Sequence, residues 1–408
     1  MHPRVKIPKT RAEISLEFLN RILSPHQLQV LGFETVTDSK FARGCLSDLV
    51  RLELTVQKYS DNNAPLEKLG LVVKTVPSNP SIRSYVLSKG YCQNEVQMYT
   101  KVLPALNDFL NSQGVSQANR FSFPKCYFGE EEEGNRDEDY NFFLTLEDLT
   151  GSKHTFWDEG AKKSFDWEHS SAAIKSIARF HASTAAYKIS KGFRLYEEEF
   201  PKFLKHTVDD PALDNYIATG FKATREVLME GEIPEGLLER LELMETNFKT
   251  IVQKMQIDVD EKSVNVVRHT DLHFFNVAFL HDVNDNGVEA TWFDFQNCSE
   301  GSPMSDLAFL LMLNCEPEFS TGQLDKSLEL YHQTFMEVVK ETKVNLDYPF
   351  EKMREEFSRY RLPSILHIIS GSLMWSCGPD CNSVSRDRLR RAIIYAFNNG
   401  ELNLPDFV

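Results

Sequence analysis

The pattern of apolar and polar positions changes partway along the chain. Up to residue 149, helical spacing is confined to residues 12–22 and 83–111. Short segments with partly alternating apolar residues, which are typical of strands with one buried face, fill the rest of this part. They lie at residues 36–44, 48–59, 68–77, 121–129 and 141–149. The pattern therefore predicts a small antiparallel sheet accompanied by a helix.

After residue 149 the apolar spacing becomes helical over long stretches. These stretches are residues 168–190, 211–256, 304–315, 322–342, 350–370 and 384–399. The exception is 264–296, where short apolar runs surround Asn284–Gly287, a strong hairpin signal. We predict an α+β, two-lobed chain with an N-lobe over 1–148 and a helical C-lobe over 149–408.

Composition excludes several classes of function. The 408 residues carry a net charge of −15, which argues against binding to a nucleic-acid backbone. The chain has no apolar run long enough for a membrane span and no secretory h-region at its start. Its seven cysteines are scattered, as in a protein with reduced thiols. We expect a cytoplasmic protein that contacts neither nucleic acid nor membrane.

The stretch HTDLHFFN contains His269, Asp271 and Asn276 at the mouth of the predicted hairpin. Asp271 and Asn276 have the spacing of the Asp and Asn in the protein-kinase catalytic loop, H-R-D-x-x-x-x-N. The hairpin then leads to Asp294 in FDFQ, where a protein kinase has D-F-G. A hairpin would return Asp294 close to Asn276, and hard oxygen ligands of this kind suit Mg²⁺.

The N-terminal part contains the remaining groups that phosphoryl transfer requires. Lys74 ends the apolar strand LVVK, and Glu95 follows 21 residues later on the next predicted helix. A lysine that holds phosphates and an acid that holds the lysine occupy these places in kinases. The order of these groups along the chain agrees with such a site.

Each residue also has a plainer interpretation. Asp271 and Asn276 are types that favour turns, and Lys74 could be a strand-end lysine whose ammonium reaches solvent. Glu95 would then be a solvated helix residue. His269 is expected to be structural, and His181, on a helical apolar stripe, to be a buried core histidine. The joint occurrence of the charged groups in order favours the catalytic interpretation.

With these motifs the chain resembles the insect-type ecdysteroid kinase-like proteins, which belong with choline kinases and aminoglycoside phosphotransferases in the protein-kinase-like fold. That family's catalytic stretch reads approximately H-G-D-x-W-x-x-N, followed by D-F-Q. Further matching segments are EVQMYTKVLPAL (95–106), LTLEDL (144–149), IARFHA (177–182) and GSPMSDLAFLL (301–311). The resemblance extends from about residue 30 to residue 311 at least.

The resemblance implies ATP and Mg²⁺ as cofactors and a role for each matching residue. Asp271 would be the catalytic base, and Asn276 and Asp294 would be Mg²⁺ ligands. Lys74 would bind ATP phosphates and pair with Glu95. Phosphate contacts would come from Gly44 and Ser47, and Asp306 would brace the catalytic loop. The backbone that meets adenine would be a hinge formed by Leu146, Glu147, Asp148 and Leu149.

Two positions depart from the family pattern. Thr270 stands where the family has Gly, which tolerates backbone angles that Thr resists, and His273 stands where it has Trp. The resemblance implies phosphorylation of a hydroxyl on a small molecule, most readily an ecdysteroid or similar apolar alcohol. Two alternatives stay open: a catalytically silent binding protein, and a kinase of a choline-like or aminoglycoside-like cation. The oligomeric state is left open.

Overall fold

A computed structural model describes most of the chain. The described residues are 6–36, 46–59, 65–132, 134, 137–151, 153–157, 164–200, 203, 211–257, 264–281, 287–316, 323–377 and 383–404. Gly44 and nearly all of the predicted strand 36–44 lie outside them, as do residues 284–286 of the predicted turn.

The N-terminal region is a five-stranded antiparallel sheet. Its strands are β1 (Leu28–Val36), β2 (Asp48–Lys58), β3 (Glu67–Thr75), β4 (Cys126–Glu132) and β5 (Asn141–Glu147). They pair in the order β1-β2-β3-β5-β4. Alternate residues of β2 and β3 bury one face beneath helix α1 (Leu16–Leu23), whose cap is the Ser15 hydroxyl.

The predicted helix over 83–111 is interrupted twice. It consists of α2 (Pro80–Lys89), α3 (Tyr91–Gln97), a π-helical turn (Met98–Val102) and α4 (Leu103–Gln113). Gly90 ends α2 with φ 71°, a conformation that glycine adopts without steric cost. The break lets α3 take its own direction towards the site described below.

The C-terminal region is mainly helical. Its helices are α5 (Trp167–Lys191), α6 (Phe193–Glu199), α7 (Pro211–Leu228), α8 (Leu237–Ile257), α9 (Pro303–Asn314), α10 (Leu324–Thr342), α11 (Phe350–Ser370), α12 (Ser372–Trp375) and α13 (Ser383–Asn398). The single helix predicted over 211–256 is wrong: Gly231, Pro234 and Gly236 separate α7 from α8.

Two small sheets interrupt the helices and hold the site. One has the order β6-β8-β9, formed by β6 (His154–Phe156), β8 (Val277–His281) and β9 (Val288–Trp292). The other pairs β10 (Ser299–Gly301) with β7 (Val266–Arg268). The predicted hairpin is confirmed, because β8 and β9 pair antiparallel from Val277 opposite Trp292.

The predicted α+β class is confirmed, with an N-terminal antiparallel sheet and a helical C-terminal region. One large core joins residues of α3 and α4 to the C-terminal helices, and a smaller core lies between α1 and the sheet. The division after residue 148 stays a prediction. Among the residues described, no helix is both long enough and apolar enough to cross a membrane.

Candidate active site

The loop between β7 and β8 is shaped by the carboxylate of Asp306, in the first turn of α9. Its Oδ2 accepts the N–H of His269 at 2.6 Å, and its Oδ1 accepts the N–H of Thr270 at 3.0 Å. Two charge-assisted hydrogen bonds to successive amides fix the backbone directly before Asp271. Burial would raise the pKa of Asp306, but the hydrogen bond with His181 and the nearby charge of Arg268 outweigh this and lower it, so the carboxylate is ionised at neutral pH.

A buried chain of hydrogen bonds holds Asp306 in turn. His181 Nε2 lies 3.2 Å from Asp306 Oδ2, and His181 Nδ1 lies 2.7 Å from the Tyr331 hydroxyl. Burial lowers the pKa of His181, so the ring is neutral near pH 7. A neutral ring that donates to Asp306 through Nε2 accepts from Tyr331 through Nδ1. His181 is therefore a satisfied core histidine that acts on the loop through Asp306.

Thr270 adopts the left-handed conformation that its position demands. Its φ is 63°, in the region that glycine favours and a β-branched residue avoids. Its hydroxyl donates to the carbonyl of Asn297 at 2.6 Å, a contact that the family's glycine could not make. The loop thus keeps its turn with a threonine and gains a hydrogen bond to the segment that follows Asp294.

Asp271 is almost entirely buried and lies among polar groups. Asn276 Nδ2 donates to its carbonyl at 3.1 Å and to its Oδ2 at 3.3 Å, and Asn297 Nδ2 lies 3.4 Å from the same Oδ2. The other oxygen is 3.4 Å from His273 Nε2. Burial would raise the pKa of Asp271, but His273 outweighs it and the pKa falls to about 2. The group is a carboxylate at neutral pH.

Asn276 and Asp294 are brought together by the hairpin. The N–H of Phe293 donates to the carbonyl of Asn276 at 3.1 Å, and the carbonyl of Phe293 lies 2.9 Å from His269 Nε2. Asp294 follows with φ 66°, a left-handed conformation that turns the chain sharply. His269 thus braces the hairpin, in agreement with the structural role predicted for it.

The donors at this point fit a magnesium ion. Among the described residues no cluster of three or more His, Cys, Asp or Glu side chains could hold a metal by itself. Mg²⁺ characteristically takes one or two protein oxygens and completes its shell with water and substrate phosphates. The Asn276 amide uses its nitrogen towards Asp271, and the Asp294 side chain is 22% exposed, so oxygen donors are available here.

Lys74, on β3, contacts two acidic side chains of the site, Glu95 and Asp294. Its Nζ lies 2.7 Å from Glu95 Oε1 and 2.6 Å from Asp294 Oδ1. Burial acts to lower the pKa of Lys74, but the two carboxylates raise it above its usual value. Burial raises the pKa of Glu95, and the attraction of Lys74 opposes that rise. The three groups form a buried cluster whose lysine is firmly protonated.

Asn94 is a site residue that sequence reasoning missed. Its Nδ2 donates to the carbonyls of Gln296 and Cys298 at 2.8 Å and 2.9 Å. These bonds tie α3, which carries Glu95, to the chain just after Asp294. The only available signal was its position next to Glu95, because the partners lie more than 200 residues away.

The predicted hinge runs from the end of β5 into the following turn. The N–H groups of Glu147 and Asp148 donate to the carbonyls of Lys125 and Gly70. The Asp148 carboxylate accepts from Arg51 Nε at 2.9 Å and from the Thr150 hydroxyl at 2.6 Å. These amides are therefore engaged within the fold, and the contact of Leu146–Leu149 with adenine stays a prediction.

The predicted phosphate contacts lie at the entrance to β2. Ser47 immediately precedes Asp48, which pairs with Thr75, and Leu49 pairs with Lys74. The register therefore places Ser47 at the same end of the sheet as Lys74. Gly44 lies outside the described residues, and the roles of both remain predictions.

The comparison with protein families agrees with this geometry. The chain belongs to the ecdysteroid kinase-like family, whose model matches residues 43–344, about three quarters of the chain. The resemblance stated from the motifs is thus confirmed. The match includes Lys74, Glu95, Asp271, Asn276 and Asp294. No curated protein matches the chain.

Solved structures give distant matches only. An ethanolamine kinase from Plasmodium vivax is 13% identical, with a TM-score of 0.41 over 96% of this chain and 86% of its own. A choline kinase from Streptococcus pneumoniae is 14% identical, with a TM-score of 0.39 over 94% and 98%. A putative aminoglycoside phosphotransferase from Ralstonia eutropha is 12% identical, with a TM-score of 0.41 over 94% and 98%. Likeness at this level carries no information about the substrate.

Proposed function

We propose that this protein is an ATP- and Mg²⁺-dependent kinase that phosphorylates a hydroxyl group of a small molecule. The observation that carries the proposal is the meeting of Lys74, Glu95 and Asp294 in one buried cluster beside the braced loop of Asp271 and Asn276. A protein that retained the fold for binding alone would have no need of this complete set of charged groups.

Asp271 is suited to orient the attacking hydroxyl. Its low pKa makes it a hydrogen-bond acceptor at neutral pH, and Asn276 and Asn297 hold its Oδ2 in place. In the reaction the acceptor oxygen forms a bond to the γ-phosphorus, and the bond from that phosphorus to the β,γ-bridging oxygen of ATP breaks. The hydroxyl proton passes to Asp271 and then to solvent, and ADP leaves.

Lys74 is suited to hold the nucleotide phosphates. At present it contacts two carboxylates, and a bound phosphate would take the place of Asp294 as its second partner while Glu95 keeps the first. Asn276 and Asp294 would hold Mg²⁺, which neutralises charge on the phosphates. Gly44 and Ser47 would contact those phosphates, and Leu146–Leu149 would meet the base.

The experiment is a transfer assay with ATP and Mg²⁺, in which phosphorylated product is detected by mass spectrometry. Acceptors are ecdysone, farnesol and choline, which represent a steroid alcohol, a linear apolar alcohol and a cation. Asp271→Asn should lower turnover by about a hundredfold or more, because a general base typically contributes about 10²- to 10⁴-fold. Asp108→Asn, on the exposed face of α4, is the matched control and should leave turnover unchanged.

A catalytically silent binding protein would give a different result in a thermal-shift measurement. ATP with Mg²⁺ should raise the melting temperature of wild-type protein and of Asp271→Asn alike, because Lys74 and Asp294 remain in both. A melting temperature that no nucleotide changes, together with no phosphorylated product, would support a binding protein without catalysis. We favour an ecdysteroid or similar apolar alcohol as acceptor; product from choline alone would favour the cation kinase.

A further inference from the structure

A tyrosine lies near Asp271 on the helix that carries Glu95. Tyr91 begins α3 and precedes Glu95 by four residues, so the two side chains lie on the same face of the helix. Glu95 is directed at Lys74 and Asp294. Tyr91 must therefore face the same cleft one turn further out, where its ring is only partly covered.

Tyr85, on α2, adds a second ring beside Tyr91. The ring centroids are 6.1 Å apart in an edge-to-face arrangement, a favourable geometry for aromatic pairs. Tyr85 is 38% exposed. Lys89 Nζ lies 5.7 Å from the centroid of the Tyr85 ring, which places a positive charge at this edge of the cluster.

The opposite wall comes from the C-terminal helices. The Tyr216 hydroxyl, on α7, lies 3.8 Å from the sulfur of Met374, on α12. Gly220 follows Tyr216 by one helical turn, and a Cβ there would lie 2.2 Å from the Ser370 carbonyl. Only a glycine permits this crossing with α11. The crossing brings the ring of Tyr216 against α12, where Met374 is 42% exposed.

Both walls border the catalytic carboxylate. Burial raises the pKa of Tyr91 and of Tyr216, and the nearby charge of Asp271 contributes to the rise in each.

We infer that Tyr85 and Tyr91 on one side, and Tyr216 and Met374 on the other, form the acceptor site, which holds an uncharged apolar alcohol with its hydroxyl at Asp271. This inference rests on the proposed function. The tyrosine rings and the Met374 thioether supply apolar contact, and the tyrosine hydroxyls can form hydrogen bonds with an oxygenated acceptor. Lys89 Nζ already lies over the Tyr85 ring at 5.7 Å, so a quaternary ammonium would compete with it for that aromatic face.

The proposed acceptor site would couple the binding of nucleotide to the binding of the acceptor. Tyr91 and Glu95 share one short helix, and Asn94 ties that helix to the segment after Asp294. Nucleotide that reorganises Lys74 and Asp294 would therefore act on the helix that carries Tyr91.

An apolar cavity among the C-terminal helices is a weaker candidate for the acceptor. It lies among α9, α11 and α13 and is lined by residues that include Leu311, Phe357, Ile365 and Ile393. Its volume of about 40 Å³ accommodates a water molecule or two, whereas ligand sites usually enclose several hundred Å³. None of the residues that line it belongs to the catalytic loop.

The test is direct binding, measured by calorimetry in the absence of turnover. Ecdysone and farnesol are the uncharged probes and choline is the cationic probe. Tyr91→Ala and Tyr216→Ala should each weaken binding of an uncharged probe by about tenfold or more, as for a central aromatic contact. Tyr59→Ala, 50% exposed just after the end of β2, is the matched control and should change nothing. Lys89→Glu should increase the affinity for choline.

The outcomes separate this inference from the proposed function. Unchanged probe binding in both tyrosine variants overturns the site, and binding of choline alone, or of neither uncharged probe, overturns the acceptor class. Tyrosine-dependent binding supports the site even if no phosphate is transferred, a result that would count against the proposed catalysis only. Melting curves of each variant without probe establish that a loss of binding is not a loss of folding.

Discussion

Replacement of Lys74 by methionine tests the buried charge cluster, because it removes the ammonium and keeps the apolar stem. Two carboxylates then lack their cation. Asp294 is 22% exposed and can be hydrated, but Glu95 is only 2% exposed. Removal of one partner from a buried ion pair costs about 3–5 kcal/mol, since the other charge is left without compensation. We expect a loss of this size in the free energy of unfolding at pH 8.

Glu95 can reduce this cost by taking up a proton, which makes the loss depend on pH. Burial raises the pKa of Glu95, and the attraction that opposed this rise is absent in the variant. The folded state then binds one more proton than the unfolded state at pH values between the unfolded and folded pKa of Glu95. The free energy of unfolding of the variant is retained below the unfolded pKa of Glu95. As the pH rises from there to the folded pKa, it falls by about 1.4 kcal/mol per pH unit.

The assay is urea denaturation between pH 5 and pH 8, with Lys68→Met as the matched control. Lys68 is on the same strand and lies 2.5 Å from Glu53, but the two side chains are 63% and 42% exposed. An exposed pair of this kind contributes little, so the control should unfold like wild type at every pH. An equal loss in both variants would refute the argument from burial, and a loss that is constant with pH would refute the proton uptake.

Three further variants examine the loop and its supports. Thr270→Gly should leave the free energy of unfolding nearly unchanged, because relief of about 1–2 kcal/mol of backbone strain offsets the lost hydrogen bond to Asn297. Thr270→Ala keeps the strain and loses the hydrogen bond, so it should be about 1 kcal/mol less stable in the same urea titration. Asp306→Asn should cost about 2 kcal/mol at pH 7 by leaving a loop amide without its acceptor. Because the pKa of Asp306 is lowered, this difference should shrink as the pH falls through its folded pKa; a constant difference would contradict the ionised role. Asn94→Ala should lower turnover and cost about 1–3 kcal/mol, since two carbonyls lose their donor; full activity would show that α3 needs no such tie.

The short-range part of the site could be predicted from the sequence. Asp271 and Asn276 lie in one tight loop, and their separation along the chain limits where their side chains can go. The hairpin that follows brings Asp294 back to that loop, and its strands have a readable alternation. Lys74 and Glu95 were placed by their order on a strand and the next helix, and they lie 2.7 Å apart.

Helix boundaries were predicted less well, for a local reason. Apolar spacing continues across Gly90 and across 229–236, so periodicity alone indicated longer helices than the structure has. The interruption at Gly90 matters most, because α3 begins directly after it and carries Glu95 to within 2.7 Å of Lys74. A positive φ at a glycine is permitted by the sequence but is decided by packing.

The sequence by itself determined the fold class, the family and the charged groups of the loop, because each depends on local pattern or on spacing within one element. Only the tertiary structure decided which distant groups meet. Asp306, His181 and Tyr331 join across 125 and 150 residues, and the Tyr216 hydroxyl meets the sulfur of Met374 one helical turn from the close crossing at Gly220. The physical reason is that such contacts are set by how buried helix faces pack, and a one-dimensional pattern shows that a face is apolar without showing which face it will meet.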